Sequence, residues 1–291
     1  MSTPAASFRE IAILGSGLLG ASLALALQKT SRIRLWGRRE SSIEEAKRRD
    51  IAEICTTDLL EAVSGADLII FCTPLEAMGE IARQILPLLG EKTAVTDVGS
   101  VKAPITLELE SLFGSERFVG SHPMAGSEQS GTAAARADLF AGAACIVTPT
   151  EKTSRNLVEN ISAFWKAFGC EIHHLSPQIH DEQIALISHL PHLIAGCLVN
   201  AVSETNPAAL PLAGMGFRDS TRIASGPPEM WRGILQSNRT QILFALEALK
   251  SQVDEAEQLL RSKNDEGLRD FLTNAKTTRD GITRKVRYGG D

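Results

Sequence analysis

The first residues whose types and spacing could do chemistry are Gly15, Ser16, Gly17, Leu18, Leu19 and Gly20, a G-x-G-x-x-G run. An apolar segment from Phe8 to Leu14 leads into the run, and an apolar stretch from Leu18 to Gln28 leads out of it. Alone, such a run is weak evidence; between a strand and a helix it acquires a mechanism. The first glycine permits a tight turn, the second lets backbone approach a pyrophosphate, and the third lets helix pack closely on strand. The helix N-terminus adds unpaired N–H groups and the positive end of its dipole. The expected chemistry is therefore NAD(P) binding at the front of a Rossmann domain.

A second strand, Ile33 to Gly37, is followed by Arg38 and Arg39, with no acid before Glu40. NAD-preferring folds usually place Asp or Glu here to meet the ribose 2′-hydroxyl. Two arginines suit a 2′-phosphate and favour NADP, although Arg38 stacked on adenine would leave NAD equally usable. Further polar residues fall just beyond apolar runs, where ligands meet the carboxyl ends of parallel strands. Thr73-Pro74 follows one run, and is read as lying on the cofactor side. Asp97 to Lys102 follows another, and Ser121 to Glu128 a third. A loop histidine is more often structural than catalytic, but His122 at a sheet's carboxyl edge, beside a nicotinamide site, reads as catalytic. Two further clusters, Ser188 to His192 and Gly216 to Arg222, lie far downstream.

The elements that must position these residues alternate up to about residue 175. Strands are expected at Phe8–Leu14, Ile33–Gly37, Leu68–Cys72, Ala94–Val98, Phe118–Ser121, Ala144–Thr148 and Glu171–Leu175. Helices are expected at Leu18–Gln28, Ser42–Arg49, Glu76–Leu89, Ala103–Phe113 and Thr153–Phe168. This is the βαβ rhythm of a doubly wound, mostly parallel sheet. After Ser176-Pro177 the pattern turns helical: His180–Ser203, Met230–Leu260 and roughly Glu266–Val286, with a turn-rich stretch from Asn206 to Pro228. The expected domains are thus an α/β dinucleotide-binding domain, 1–175, and an all-α domain, 176–291. The row Ile242, Leu246, Leu249, Val253, Leu259 and Leu260 would be either internal core or a dimer face.

Composition limits the alternatives. Of 291 residues, 43% are hydrophobic and 22% charged, which suits a globular core rather than disorder. A formal net charge of -5 argues against a nucleic-acid partner. Five scattered cysteines, without C-x-x-C spacing, read as reduced thiols of a cytoplasmic protein, and no secretory pattern opens the chain. The apolar window Ile184–Val202 is broken by His189, Pro191, His192 and Asn200, which favours a buried helix over a membrane span. His173, His174 and His180 show no metal-ligand spacing, so no metal is expected.

In these segments the sequence resembles the prephenate/arogenate dehydrogenase family. The resemblance runs in order through G-S-G-L-L-G, D-V-G-S-V-K (Asp97 to Lys102), S-H-P-M-A-G-S-E (Ser121 to Glu128), S-H-L-P-H, G-F-R-D-S-T-R and P-E-M-W-R (Pro228 to Arg232). One departure is Gly233, where the family often has Asp, which leaves a local helix contact open. No appended regulatory domain is expected, because the two core domains use up the chain. The resemblance implies hydride transfer from a cyclohexadienol ring to nicotinamide, with loss of the ring carboxylate as CO2. Prephenate would give 4-hydroxyphenylpyruvate, and arogenate would give tyrosine. Neutral His122 would take the C4 hydroxyl proton, since imidazole titrates near neutrality, and Ser100 would help place it. Arg222 would grip a substrate carboxylate with paired hydrogen bonds. His192 would reach the substrate, with Ser188 and His189 close by and His189 equally able to pack the helix around Pro191. Ser127 and Glu128 would complete the substrate side, Glu128 as a gate. A homodimer through the helical domain is implied. The competing readings are a β-hydroxyacid-type dehydrogenase, which relies on a lysine in its helical domain, and a non-catalytic dinucleotide sensor.

Overall fold

The computed structural model of the chain describes residues 8–126, 129 and 131–285. Five strands, β1 (Glu10–Leu14), β2 (Arg32–Trp36), β3 (Ile54–Thr56), β4 (Leu68–Phe71) and β5 (Ala94–Asp97), form a parallel sheet in the order β3-β2-β1-β4-β5. The order reverses between β1 and β4, the place where open α/β sheets bind ligands beyond their carboxyl ends. Alternate residues of each inner strand feed two cores: Ile11, Ile13, Leu68 and Ile70 on one face, Ala12, Leu14, Ile69 and Phe71 on the other. Burial on both faces explains why these strands read as continuous apolar runs.

Helices α1 (Leu18–Leu27), α2 (Glu40–Arg48), α3 (Leu59–Val63), α4 (Leu75–Ile85) and α5 (Ala103–Phe113) complete the crossovers. Strand β3 escapes the sequence pattern because it is only three residues long, Ile-Cys-Thr. The start of α3 has a local cause: the Asp58 carboxylate accepts from the N–H groups of Leu60 and Glu61, at 2.8 and 3.3 Å.

A second, three-stranded sheet contains β6 (Gly120–Pro123), β7 (Ala144–Thr148) and β8 (Glu171–His174), with α6 (Arg155–Ala167) before β8. Here β6 runs antiparallel to β7, and β7 parallel to β8. A single parallel bridge, Val95 to Phe118, ties this sheet to β5. Trp165 of α6 is fully buried beneath it.

Ser176 then caps α7 (Pro177–Ile184), accepting from the Ile179 N–H at 3.3 Å with Pro177 in the first turn. A π-helical turn, Ala185–His189, joins α7 to α8 (Leu190–Thr205). Pro191 lacks an N–H and its ring crowds the carbonyl four residues back, so the wider turn before it has a clear cause. The turn-rich stretch expected after α8 holds α9 (Met215–Thr221), flanked by 3-10 turns at Pro207–Leu212 and Arg222–Ser225. The helix expected from Met230 to Leu260 is broken at Asn238 into α10 (Pro228–Ser237) and α11 (Arg239–Arg261), and α12 (Asp265–Lys285) follows.

The chain divides into two compact units, Met1–Ile242 and Leu243–Asp291. The expected division near residue 176 falls inside the first unit, because α7 is tied to α5 through Asp181. The expectation of a buried helix over Ile184–Val202 is corrected. Pro177–Thr205 is long and apolar enough to cross a membrane, yet only 22% of its most apolar stretch is buried within the chain. Leu186, Ile187 and Leu198 face outward. Val253 and Leu260 of the row noted on α11 are likewise exposed. The contact left open by Gly233 is resolved: a Cβ there would collide with the Glu76 carboxylate, so α10 lies close against the first turn of α4.

Candidate active site

The glycine-rich turn sits between β1 and α1, at the switch point. Gly15 takes φ +126°, and a Cβ on it would strike the Cys72 carbonyl at the end of β4. A Cβ on Gly20 would strike the Gly15 carbonyl, so the third glycine lets α1 pack against the turn. Gly17, by contrast, has no atom within 4 Å of its Cβ position. Two glycines are therefore demanded by the fold, and one opens on space that a ligand could use. Gly17 caps α1 without any side-chain acceptor on the first amides. Across the switch point the buried Thr73 hydroxyl has no partner, while Pro74 is exposed. Arg38 and Arg39 are exposed where β2 passes into α2. Uncapped amides, open space and an orphaned hydroxyl all fit a dinucleotide.

The second group is assembled from five segments. His122 lies within β6 rather than in the loop after it, and is buried. Its Nδ1 is 2.8 Å from His180 Nε2, and His180 Nδ1 is 2.8 Å from Asp181 Oδ1. A carboxylate accepts only, so His180 donates from Nδ1 and carries its lone pair on Nε2. His122 must then donate from its own Nδ1, which leaves Nε2 bare. The chain Asp181–His180–His122 thus selects the tautomer that a general base requires.

Asp181 also anchors its own helix. Its two oxygens accept the Lys102 and Ala103 N–H groups at 2.7 and 2.8 Å, at the start of α5. Asn238 donates through Nδ2 to the Asp181 carbonyl at 2.9 Å and to His189 Nδ1 at 3.1 Å. The break between α10 and α11 falls at this buried asparagine. His189 is fully buried beside the Ser100 backbone.

Beneath His122, Lys102 and Asp97 form an ion pair with no exposure on either side chain. Lys102 Nζ also donates to the Ser121 carbonyl at 2.9 Å. The Ser121 hydroxyl donates to the Asp97 carbonyl at 2.6 Å and accepts from Trp165 Nε1 at 2.9 Å. Both sheets are thereby locked at the residue preceding His122.

Burial holds His122 well below the usual histidine range, aided by the neighbouring His180, Lys102 and His189. Compared with an imidazole titrating near neutrality, burial here favours the neutral ring. Burial also depresses His180, against the pull of Asp181, and lowers His189 to about 4. His192 is lowered for the same reason. Burial thus favours the neutral form of all four rings.

His192 stacks on Trp231 with ring centroids 3.4 Å apart and planes 11° from parallel. Its buried Nδ1 has no partner. His189 links this pair to the first group, since its ring lies 6.4 Å from Trp231. His192, Asn200, Trp231, Arg232 and Gln236 line an open cavity of about 400 Å³. Ala224 lines it too, in the 3-10 turn that begins with exposed Arg222 and packs on α8. Ser188 is half-buried in the π-helical turn, and Ser100 is half-buried before Lys102. Ser127 and Glu128 lie outside the described residues. Among the described residues, no group of three or more His, Cys, Asp or Glu side chains is placed to hold a metal.

Sequence reasoning missed the parts played by His180, Asp181 and Asn238, and singled out the segment Asp97 to Lys102 without giving either end a role. His180 was weighed only as a metal ligand. The usable signal was a His-Asp pair one turn into the helix that follows the Ser-Pro cap.

Comparison with known proteins places this geometry in a family. Residues 23–174 match the nucleotide-binding domain of prephenate dehydrogenase, and residues 176–274 match its dimerization domain. The chain is 33% identical to the cyclohexadienyl dehydrogenase of Zymomonas mobilis, over 82% of this chain and 84% of that one. It is 32% identical to the prephenate dehydrogenase of Bacillus subtilis, over 94% and 76%. The A. aeolicus prephenate dehydrogenase, solved with hydroxyphenyl propionate and NAD+, superposes with a TM-score of 0.89 at 32% identity, covering 95% of this chain and 99% of that one. The chain belongs to the prephenate dehydrogenase family, oxidoreductases that couple NAD-dependent hydride transfer to decarboxylation in tyrosine biosynthesis.

Proposed function

We propose that His122 Nε2 is the general base of this reaction, and that the substrate is prephenate, arogenate or both. The observation that carries the reading is the Asp181–His180–His122 chain, which leaves that nitrogen unprotonated. Bound nicotinamide supplies the hydride acceptor. As hydride leaves C4, the C4 hydroxyl becomes a carbonyl and gives its proton to His122. The C1–carboxylate bond then breaks and CO2 departs; its electron pair completes the aromatic ring and moves the carbonyl pair onto the C4 oxygen, which takes the proton back from His122. Aromatisation drives that loss, so no separate decarboxylation catalyst is required. The proton on His122 is stabilised through His180 by Asp181.

Arg222 binds a substrate carboxylate from the edge of the cavity, and His192 meets the substrate on a ring fixed by Trp231. Ser100, Ser188 and His189 support the substrate side, and Ser127 and Glu128 belong to the same group. On the cofactor side Gly15 to Gly20 hold the pyrophosphate, with Thr73 and Pro74 facing them across the switch point. Arg38 and Arg39 favour NADP over NAD. Replacing Arg38 with Ala should weaken NADP more than NAD; an equal loss would defeat the 2′-phosphate reading.

The working unit is a homodimer through the helical domain, 176–291, with the Rossmann domain, 1–175, carrying the cofactor. Exposed Leu186, Ile187 and Leu198 support it, as do Leu243, Phe244, Val253 and Leu260. The protein is cytoplasmic, in keeping with five free cysteines.

Initial rates with prephenate and with arogenate, each with NAD and with NADP, test the whole reading. Turnover in any mixture supports it and fixes both preferences. Silence in all four, with dinucleotide still bound, would remove the substrate assignment.

A further inference from the structure

The short segment Thr132–Ala134 lies against the glycine-rich turn, although more than a hundred residues separate them. Thr132 is buried, and its hydroxyl donates to the Ser16 carbonyl at 2.5 Å. Arg49, at the end of α2, donates to the carbonyls of Thr132 and Ala135, the latter at 3.0 Å. The Arg136 N–H donates to the Ser22 hydroxyl of α1 at 3.1 Å. The segment is thus clamped onto α1 and α2 with Thr132 aimed at one atom of the turn.

That atom controls more than itself. A peptide unit is planar and trans, so the Ser16 carbonyl and the Gly17 N–H point in opposite directions. Fixing the carbonyl on the Thr132 side fixes the Gly17 N–H on the other. Gly17 is the glycine of the turn with open space before it. The Ser16 side chain lies against Gly37, at the end of β2, where a Cβ would strike its hydroxyl. The hold on the peptide itself is the Thr132 hydrogen bond to its carbonyl.

We propose that Thr132 is a cofactor-positioning residue, which presets the Gly17 amide for a pyrophosphate oxygen through the Ser16 carbonyl. This rests on the dinucleotide reading of the turn. Thr132 also stands ten residues after His122 in the chain, so the segment leaving the base ends on the nucleotide turn.

The test is the dissociation constant of NADH and NADPH, read by nucleotide fluorescence without substrate, for the parent, Thr132→Val, Thr132→Ser and Ser22→Ala. Valine keeps the shape and loses the donor, and should weaken binding about tenfold. Serine keeps the donor and should restore affinity close to the parent value. Ser22→Ala loosens the same segment without touching Ser16, and should bind as the parent does. Parent-like binding by Thr132→Val overturns the proposal, and so does an equal loss in the Val and Ser variants. An equal loss in Ser22→Ala would reduce Thr132 to a structural anchor. No binding by the parent would instead overturn the dinucleotide reading, and this inference with it.

Discussion

The nucleotide turn and the histidine network are built in opposite ways. The turn is six consecutive residues whose work is done by backbone, and its geometry follows from where a Cβ can and cannot exist. The network joins side chains from β6, α7, the π-helical turn and Asn238 to the backbone at the start of α5. No two of those contacts but one join neighbours in sequence, the exception being His180 with Asp181. A site made of backbone is carried by a local motif; a site made of side chains depends on every element that brings them together. The turn should therefore tolerate changes elsewhere apart from its one distant strut, Thr132, while the network should fail when any strut is removed.

The sharpest break is His122→Asn, which removes the proposed base and keeps a polar group in place. Its kcat should fall by roughly 10²–10⁴ with dinucleotide affinity unchanged. Retained turnover in stopped-flow traces would take His122 out of its role. Next comes the strut beneath it. Lys102→Met leaves Asp97 buried without its partner, and should cost about 3–5 kcal/mol in denaturant unfolding. A loss below 1 kcal/mol would mean that the pair locks nothing.

Inside the turn, Gly15→Ala and Gly17→Ala separate fold from ligand binding. At Gly15 the positive φ and the Cys72 carbonyl make alanine strained, at a cost of about 1–3 kcal/mol. At Gly17 the methyl meets nothing in the protein. The Tm should hold while dinucleotide affinity drops about tenfold. Similar effects at both positions would erase the distinction.

The smallest effect is spread over the network. His122, His180, His189 and His192 all titrate below the usual histidine value when folded. Between those depressed values and about 6.5 the unfolded chain binds more protons than the folded one. Their stabilising contribution is therefore complete above about pH 6.5 and declines as pH falls below it, through about 4 for His189. Each such histidine adds a slope of up to about 1.4 kcal/mol per pH unit. Unfolding followed between pH 4 and 7 should show this decline, and a flat profile would mean that the rings are not buried neutral.

Expectation and structure part company at identifiable residues. The parallel strands and α5 were readable because runs buried on both faces carry their own signature. Strand β3 was not, being three residues of weak pattern. Helical periodicity ran straight through Asn238, because nothing local announces that its amide is claimed by Asp181 and His189. The π-helical turn left only Pro191 as a trace, and α9 was hidden in a stretch rich in turn residues. Ile184–Val202 read as buried because apolarity reports a need for cover without saying which surface supplies it.

By itself the sequence determined the glycine turn and the alternating architecture up to residue 175, and singled out His122 at a strand's end. Those are local properties: φ that only glycine accepts readily, strand and helix periods, and a residue type at a strand's end. Only the tertiary structure decided which nitrogen of His122 is bare. That depends on Asp181 orienting His180, and on His180 orienting His122 across fifty-eight positions of chain. A hydrogen-bond chain has a direction, and the direction is set by its last acceptor, which sequence spacing does not locate.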